Sequence, residues 1–108
     1  MNIRKVDEHF AVAGQIAPDE VKAAAAAGFR SILCVRPDEE EHGQPAFAAV
    51  ARAAEAAGLV ALHIPVSGGL REEDIVRFHE AWPGMPKPVL AYCRSGARAG
   101  TLYATLAG

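Results

Sequence analysis

The sequence predicts an α/β fold: a mainly parallel sheet of four to five strands with helices on both faces. Apolar runs rich in β-branched residues alternate along the chain with Ala-rich runs, and single glycines or prolines separate them. Strands that alternate with helical segments of about 10 to 15 residues are joined by right-handed crossovers, which makes neighbouring strands parallel. Because 108 residues suffice for one hydrophobic core and not for two, we expect a single domain over residues 1–108.

The first half of the chain predicts three strands and two helices. The strands are expected at Ile3–Val6, His9–Ala13 and Phe29–Val35, and the helices at 18–27 and from about Pro45 to Ala57. Pro18 suits the first turn of a helix, and Gly28 and Gly58 are typical residues just after a helix end. Pro37 limits the third strand, since proline cannot donate a hydrogen bond to a strand ladder.

The second half predicts two more strands and two more helices. Leu59–Val66 is almost continuously apolar, which is typical of a strand buried on both faces, and Ser67-Gly68-Gly69 ends it. A helix from about Arg71 to Trp82, a strand at Val89–Tyr92 and a helix from Arg98 to Gly108 complete the pattern.

The composition and the net charge indicate which classes of partner and cofactor are not expected. The net charge is −2 and the charged residues of both signs are interleaved, so we expect neither nucleic acid nor an anionic membrane as a partner. No apolar stretch approaches the ~18 residues of a membrane span, and Met1–Val6 lacks the apolar run of a signal peptide, so we expect a cytoplasmic protein. Two cysteines and four unclustered histidines predict no metal, and the lack of a glycine-rich dinucleotide motif predicts no organic cofactor.

The candidate site is the segment that directly follows the last strand. Cys93 begins it, and a helical pattern starts at Arg98. In an open α/β sheet, ligands bind outside the carboxyl ends of the strands, where loops meet helix N-termini. The amides of such a loop and the positive end of the helix dipole favour an anion, so Cys93 is predicted to be a nucleophilic thiolate.

Each residue of the loop has an expected role. Arg94, Ser95, Gly96 and Ala97 supply backbone amides to an anion, and the Ser95 hydroxyl can also donate to the sulfur or to a leaving atom. Gly96 suits a positive φ angle. The Arg98 guanidinium can bind two oxygens of an anion at once.

Three residues outside this loop are secondary candidates. Arg36 follows another predicted strand and can add positive charge to the anion site. Asp38, in the same loop as Arg36, can act as an acid, although the acidic run 38–41 also fits a solvated loop. Cys34 is interpreted as a small buried hydrophobic residue, with a role as resolving thiol for Cys93 as the alternative.

The motifs together resemble the phosphatase-like domain of beta-lactamase hydrolase-like proteins. The matching segments are Ile3-Arg4-Lys5, Ala13-Gly14-Gln15-Ile16, Val35-Arg36-Pro37-Asp38-Glu39-Glu40, Gln44-Pro45, His63-Ile64-Pro65-Val66 and Cys93-Arg94-Ser95-Gly96-Ala97-Arg98. The resemblance spans nearly the whole chain and implies the fold of dual-specificity cysteine phosphatases, with members described either as phosphatases or as sulfurtransferases.

Two departures from the cysteine phosphatase pattern affect the expected chemistry. Four residues lie between Cys93 and Arg98, so the loop has six residues in all. Cysteine phosphatases carry five residues between the nucleophile and the loop arginine, whereas rhodanese-type sulfurtransferases have six-residue loops of this kind. The loop Ser67-Gly68-Gly69 carries no aspartate where phosphatases of this fold place their acid. We therefore expect a sulfurtransferase that works through a Cys93 persulfide.

Two alternatives stay open. The first is a phosphatase that forms a thiophosphate on Cys93, with Asp38 as the best acid. The second is an anion-binding module without turnover. In each case the ligand is a small anionic or sulfane-sulfur compound, and the expected protein partner is a second copy of the chain or a fused or neighbouring enzyme of sulfur metabolism.

Overall fold

The computed structural model describes residues 1–107 and contains one five-stranded sheet. The strands are β1 (Arg4–Lys5), β2 (Phe10–Ala13), β3 (Ser31–Cys34), β4 (Val60–His63) and β5 (Val89–Tyr92). Their order across the sheet is β1-β2-β5-β3-β4; β1 is antiparallel to β2, and the other neighbours are parallel. The predicted fold class is therefore confirmed.

Four helices connect the strands. They are α1 (Val21–Ala26), α2 (Phe47–Ala56), α3 (Glu72–Ala81) and α4 (Ala97–Ala104). Short 3₁₀ turns extend them at Pro18–Glu20, Trp82–Gly84 and Thr105–Ala107. The helix predicted from Arg98 to Gly108 thus begins one residue earlier and ends as α-helix at Ala104, and Gly108 lies outside the described residues.

The core consists of two layers, one on each face of the sheet. Side chains of successive strand residues point to opposite faces, so each strand contributes to both layers. The layer under α3 and α4 includes Phe10, Leu33, Ala91, Phe78 and Leu102. The layer under α1 and α2 includes Ala11, Ile32, Leu90, Tyr92 and Val50. The helices thus lie on both faces of the sheet, as the sequence predicts.

One prediction about the sheet is wrong. Leu59–Val66 was expected to form a strand buried on both faces, but β4 is an edge strand with β3 as its neighbour on one side. Val60 is 47% exposed, and the rest of β4 is half-buried. Ile64 and Val66 lie beyond the strand and are buried in the core, so the long apolar run reflects a buried segment that continues past the sheet.

The parallel strands place their carboxyl ends at one edge of the sheet. Tyr92, the last residue of β5, pairs with Ala13 of β2 on one side and with Cys34 of β3 on the other. The segments after these three strands therefore start side by side. Within residues 1–107, the helices are too short to cross a lipid bilayer.

Candidate active site

Cys93 lies at the carboxyl end of the central strand β5, and its side chain has no solvent exposure. Its N–H donates to the carbonyl of Ala13 at 3.3 Å, so β2 fixes the start of the loop. The thiol belongs to the core layer under α3 and α4, whereas the neighbouring Tyr92 belongs to the opposite layer. This alternation directs the Cys93 sulfur into the loop that precedes α4.

The loop turns back on the sulfur. The N–H of Gly96 donates to the Cys93 Sγ at 3.0 Å. Gly96 has a φ of 94°, as expected from the sequence, and a β-carbon there would collide with the Arg4 guanidinium. Only glycine adopts this left-handed conformation without strain, so Gly96 both shapes the loop and starts α4.

The loop is also held from outside. Arg4 Nη2 donates to the Ser95 carbonyl at 2.8 Å, and a β-carbon on Gly14 would lie 3.0 Å from the Arg94 carbonyl. The Ser95 hydroxyl accepts the Ala97 N–H at 3.3 Å. The segment around β1 and β2 thus supports the cysteine loop. In the sequence, Arg4 and Gly14 stand out only as members of segments that resemble the family, and no role in the loop was predicted for them.

Arg98 is next to the sulfur but is already bound to a carboxylate. Its Nη1 and Nη2 donate to the two oxygens of Glu40 at 2.8 and 2.7 Å, and Nη1 also donates to the Val66 carbonyl at 2.8 Å. The hydrogen bonds to Glu40 are the main reason why the pKa of Arg98 is raised, with a smaller contribution from the Cys93 sulfur. Arg98 thus makes a bidentate contact with a carboxylate of the protein itself, and its contact with a bound anion stays a prediction.

Glu40 is the residue of this site that the sequence analysis missed. Hydrogen bonds from Arg98, and to a lesser extent from Arg36, lower the pKa of Glu40 to about 2. It is ionised at neutral pH and links two arginines from different loops. The available signal was its place four residues after Arg36, but an acidic run in a loop is more often only a solvated segment.

Arg36 is buried and reaches the site through Glu40. Only 2% of Arg36 is exposed; its Nε donates to Glu40 at 2.9 Å and its Nη1 to the Gln15 Oε1 at 3.0 Å. Its Nη2 lies 4.0 Å from the Glu41 carboxylate. The expected direct contact of Arg36 with a bound anion remains a prediction.

Two further candidates have contacts at the rim of the site. The Asp38 carboxylate accepts the Phe47 N–H at 2.8 Å, which caps the first turn of α2. Its role as an acid remains a prediction. Arg94 points outward, with 70% of its side chain exposed and its Nη2 3.4 Å from the Glu41 carboxylate.

Cys34 lies on the other side of the sheet. It belongs to the core layer under α1 and α2, and its Sγ donates to the Arg36 carbonyl at 3.3 Å. Burial raises the pKa of the Cys34 thiol. These contacts agree with its interpretation as a small buried residue, and its place in the opposite layer from Cys93 does not favour the role of resolving thiol.

The sheet, the cysteine at the end of its central strand and the arginine at the start of the next helix define a cysteine-phosphatase-like fold. The core catalytic domain of a PP-IP phosphatase from S. cerevisiae superimposes with a TM-score of 0.69 at 18% identity, over 94% of this chain and 62% of that chain. At this identity the likeness concerns the fold alone.

Residues 2–107 match the family described as the phosphatase-like domain of beta-lactamase hydrolase-like protein. The chain belongs to this family, as its motifs predicted. A phosphatase-like protein from Neisseria meningitidis has a TM-score of 0.85 and 36% identity, and the match covers 95% of this chain and 74% of that chain. The comparisons confirm the expected class, a phosphatase-like enzyme family.

Two curated relatives are much longer than this chain. Beta-lactamase hydrolase-like protein of Agrobacterium fabrum is 40% identical over 104 residues, which are 95% of this chain and 24% of the relative. The protein of the same name from Xylella fastidiosa is 42% identical over 105 residues, 96% of this chain and 24% of the relative. The chain thus spans about a quarter of the length of these relatives.

Proposed function

We propose that the chain is a sulfurtransferase whose Cys93 carries the transferred sulfur as a persulfide. The observation that carries this proposal is the binding of Arg98 by Glu40, which already uses both Nη groups of the loop arginine. A phosphate dianion would have to compete with this carboxylate for the arginine. A single sulfur atom on Cys93 needs only the amides around it, of which Gly96 already donates to the thiol sulfur.

The charges of the site support the same conclusion. Arg98 and Arg36 bind Glu40, and Arg94 faces Glu41. With Arg4, which donates to the Ser95 carbonyl, four positive charges lie around two carboxylates, and a Cys93 thiolate would bring the sum to +1. A phosphoryl group on Cys93 would place two negative charges in this site, whereas a persulfide places at most one there.

The available carboxyl groups also favour sulfur transfer. Phosphate ester hydrolysis gains about 10²- to 10⁴-fold from an acid that protonates the leaving oxygen. Glu40 is the carboxyl group bound to the loop arginine, and with a pKa of about 2 it holds no proton to donate at neutral pH. Transfer of a sulfane sulfur to a thiolate, cyanide or sulfite releases a stable anion and needs less protonation.

Phosphatase activity is the second candidate, and the names of the relatives favour it. In that case Cys93 attacks phosphorus, and Asp38 must leave the Phe47 N–H in order to act as the acid. Without that movement, we expect turnover only with good leaving groups such as para-nitrophenolate.

The length of the relatives suggests a division of tasks. Because the family domain is about a quarter of each curated relative, we propose that a fused or neighbouring enzyme supplies or accepts the sulfur. The first acceptors to test are therefore small thiophilic anions rather than this unknown partner.

The deciding experiment is mass spectrometry of the intact protein after incubation with thiosulfate, beside turnover of para-nitrophenyl phosphate. We expect an adduct of about 32 Da on Cys93 that cyanide removes, no adduct in Cys93→Ser, and a normal adduct in Cys34→Ala. Phosphate release that depends on Cys93, without a sulfur adduct, would replace the proposal by the phosphatase. Inactivity in both assays would leave the anion-binding module.

A further inference from the structure

A cleft of about 240 Å³ lies beside the cysteine loop. The segment 66–70 forms one wall and the first turns of α4 form the other. Its lining includes Val66, Gly68, Leu70, Ala97, Arg98 and Thr101. Since one water-sized unit takes about 30 Å³, the cleft has room for a group of several carbon atoms.

The walls are mainly aliphatic. Val66, Leu70 and Ala97 present hydrocarbon, and Gly68 lacks a side chain. Arg98 is the charged side chain of the lining, and Glu40 neutralises it. The cleft therefore suits an uncharged organic group better than a second anionic group.

The cleft also borders the cysteine loop. Ala97 and Arg98 line the cleft and directly follow Gly96, whose N–H donates to the Cys93 sulfur at 3.0 Å. Val66 packs in the same core layer as Cys93. A molecule whose organic group occupies the cleft would thus have its opposite end at the loop.

We propose that this cleft binds the organic group of the sulfur donor, so that the chain prefers a singly charged donor with a short aliphatic group over inorganic thiosulfate. This inference rests on the proposed sulfurtransferase function. In an alkanethiosulfonate, the Cys93 thiolate attacks the outer sulfur and forms a new S–S bond. The S–S bond of the donor breaks, and its electron pair leaves with the sulfinate. Charge is conserved, because two monoanions give a persulfide anion and a sulfinate anion.

The test compares thiosulfate, methanethiosulfonate and propanethiosulfonate as donors to the full chain, with cyanide as acceptor. Each rate is divided by the rate of the same donor with free cysteine, which removes differences in intrinsic reactivity. Burial of one methylene stabilises a complex about fourfold, so we expect kcat/KM to be roughly fifteenfold higher for the propane than for the methane compound, which has two methylenes fewer.

Two bulky substitutions on α4 provide the matched pair. Thr101 is exposed and lines the cleft, whereas Ala104 is exposed on the same helix outside it. Thr101→Phe should bring the propane-to-methane ratio close to one, and Ala104→Phe should leave the ratio unchanged. Leu70→Ala, which widens the cleft, should move the preference towards longer chains.

The outcomes separate this inference from the function on which it rests. A Cys93 persulfide formed from thiosulfate, with no effect of donor chain length or no difference between Thr101→Phe and Ala104→Phe, would overturn the role of the cleft alone. If no donor forms a persulfide on Cys93, both the sulfurtransferase and the donor cleft are overturned.

Discussion

Cys93 and Cys34 lie at the carboxyl ends of neighbouring parallel strands, are both almost fully buried, and have opposite surroundings. The Cys93 sulfur accepts a hydrogen bond from the Gly96 N–H, whereas the Cys34 sulfur donates one to the Arg36 carbonyl. A donor aimed at sulfur stabilises a thiolate, and an acceptor aimed at it stabilises the thiol. Both sulfurs are buried, so the two cysteines differ in the direction of this hydrogen bond, while the raised pKa of the Cys34 thiol comes mainly from its burial.

The largest expected effect separates the two thiols in sulfur transfer. Cys93→Ser should abolish the persulfide adduct and the transfer of sulfur to cyanide, because no thiolate remains in the loop. Cys34→Ala should keep kcat/KM within about twofold, because it removes only a small apolar group from the far layer. If Cys34→Ala loses sulfur transfer while its circular dichroism spectrum is unchanged, sulfur transfer needs Cys34 as well as Cys93, and the distinction between the two cysteines is wrong.

The next effect concerns the reactivity of Cys34 itself. Because burial raises the pKa of this thiol above its usual value of 9.0, the protonated form should predominate up to pH 9. In the Cys93→Ser background, Cys34 should react with iodoacetamide on the order of a hundredfold more slowly in the folded chain than in urea. Equal rates in the two states would show that Cys34 is as accessible as an exposed thiol.

A third prediction isolates the contact between Arg4 and the cysteine loop. Gly28 and Gly96 both have positive φ, but a β-carbon on Gly28 would meet no heavy atom within 4 Å, whereas one on Gly96 would collide with the Arg4 guanidinium. Gly28→Ala should therefore destabilise the chain by about 1 kcal/mol through backbone strain alone. Gly96→Ala should cost about 2 to 3 kcal/mol, since the clash adds to that strain.

The measurement is urea unfolding of both variants, alone and combined with Arg4→Ala. Removing the Arg4 side chain should recover part of the stability lost in Gly96→Ala and none of that lost in Gly28→Ala. Identical losses in the two glycine variants would mean that Arg4 moves aside without cost.

The smallest effect is the acid dependence of the ion pair beside Cys93. The pKa of Glu40 is lowered to about 2 in the folded chain from its usual 4.5, so the carboxylate stabilises the fold above pH 4.5, and this contribution is lost as the pH falls from 4.5 through 2. Because the pair is partly exposed, we expect at most about 1 kcal/mol. Glu40→Gln should thus be less stable than wild type at pH 7 and equally stable near pH 2.

The control for this titration is on the Cys34 side of the sheet. Cys34→Ala should change the free energy of unfolding by the same amount at pH 7 and near pH 2, because the Cys34 thiol does not titrate between these two pH values. A stability difference between Glu40→Gln and wild type that does not change with pH would assign the role of Glu40 to packing instead of charge.

Much of this arrangement follows from local sequence. Val89–Tyr92 has the bounds that the sequence predicts, Cys93 directly follows this strand, and Gly96 has the predicted positive φ, because a strand, a glycine and a helix start are all short-range features. The position of β4 was not predictable in this way. An apolar run shows that a segment is buried, but not whether a neighbouring strand or a helix covers it.

The contact between Arg98 and Glu40, like the position of β4 in the sheet, depends on residues that are far apart in the sequence. Glu40 and Arg98 are 58 residues apart and meet because β3 and β5 are neighbours in the sheet. Sequence reasoning identified the arginine from its spacing to Cys93, but a carboxylate in a polar loop has no local pattern that names its partner. The consequence is chemical, since a bound dianion would have to compete with Glu40 for the Arg98 guanidinium.

The Arg4 side chain connects the edge strand β1 to the cysteine loop that follows the central strand β5. β1 has two residues, both exposed, and yet from it Arg4 reaches the Ser95 carbonyl in the cysteine loop. A protease that trims the first five residues, or an affinity tag that displaces them, would release this support and would remove only Ile3 from the edge of the core layer under α1 and α2. Loss of activity in a well-folded preparation would then trace to the integrity of the N-terminal strand.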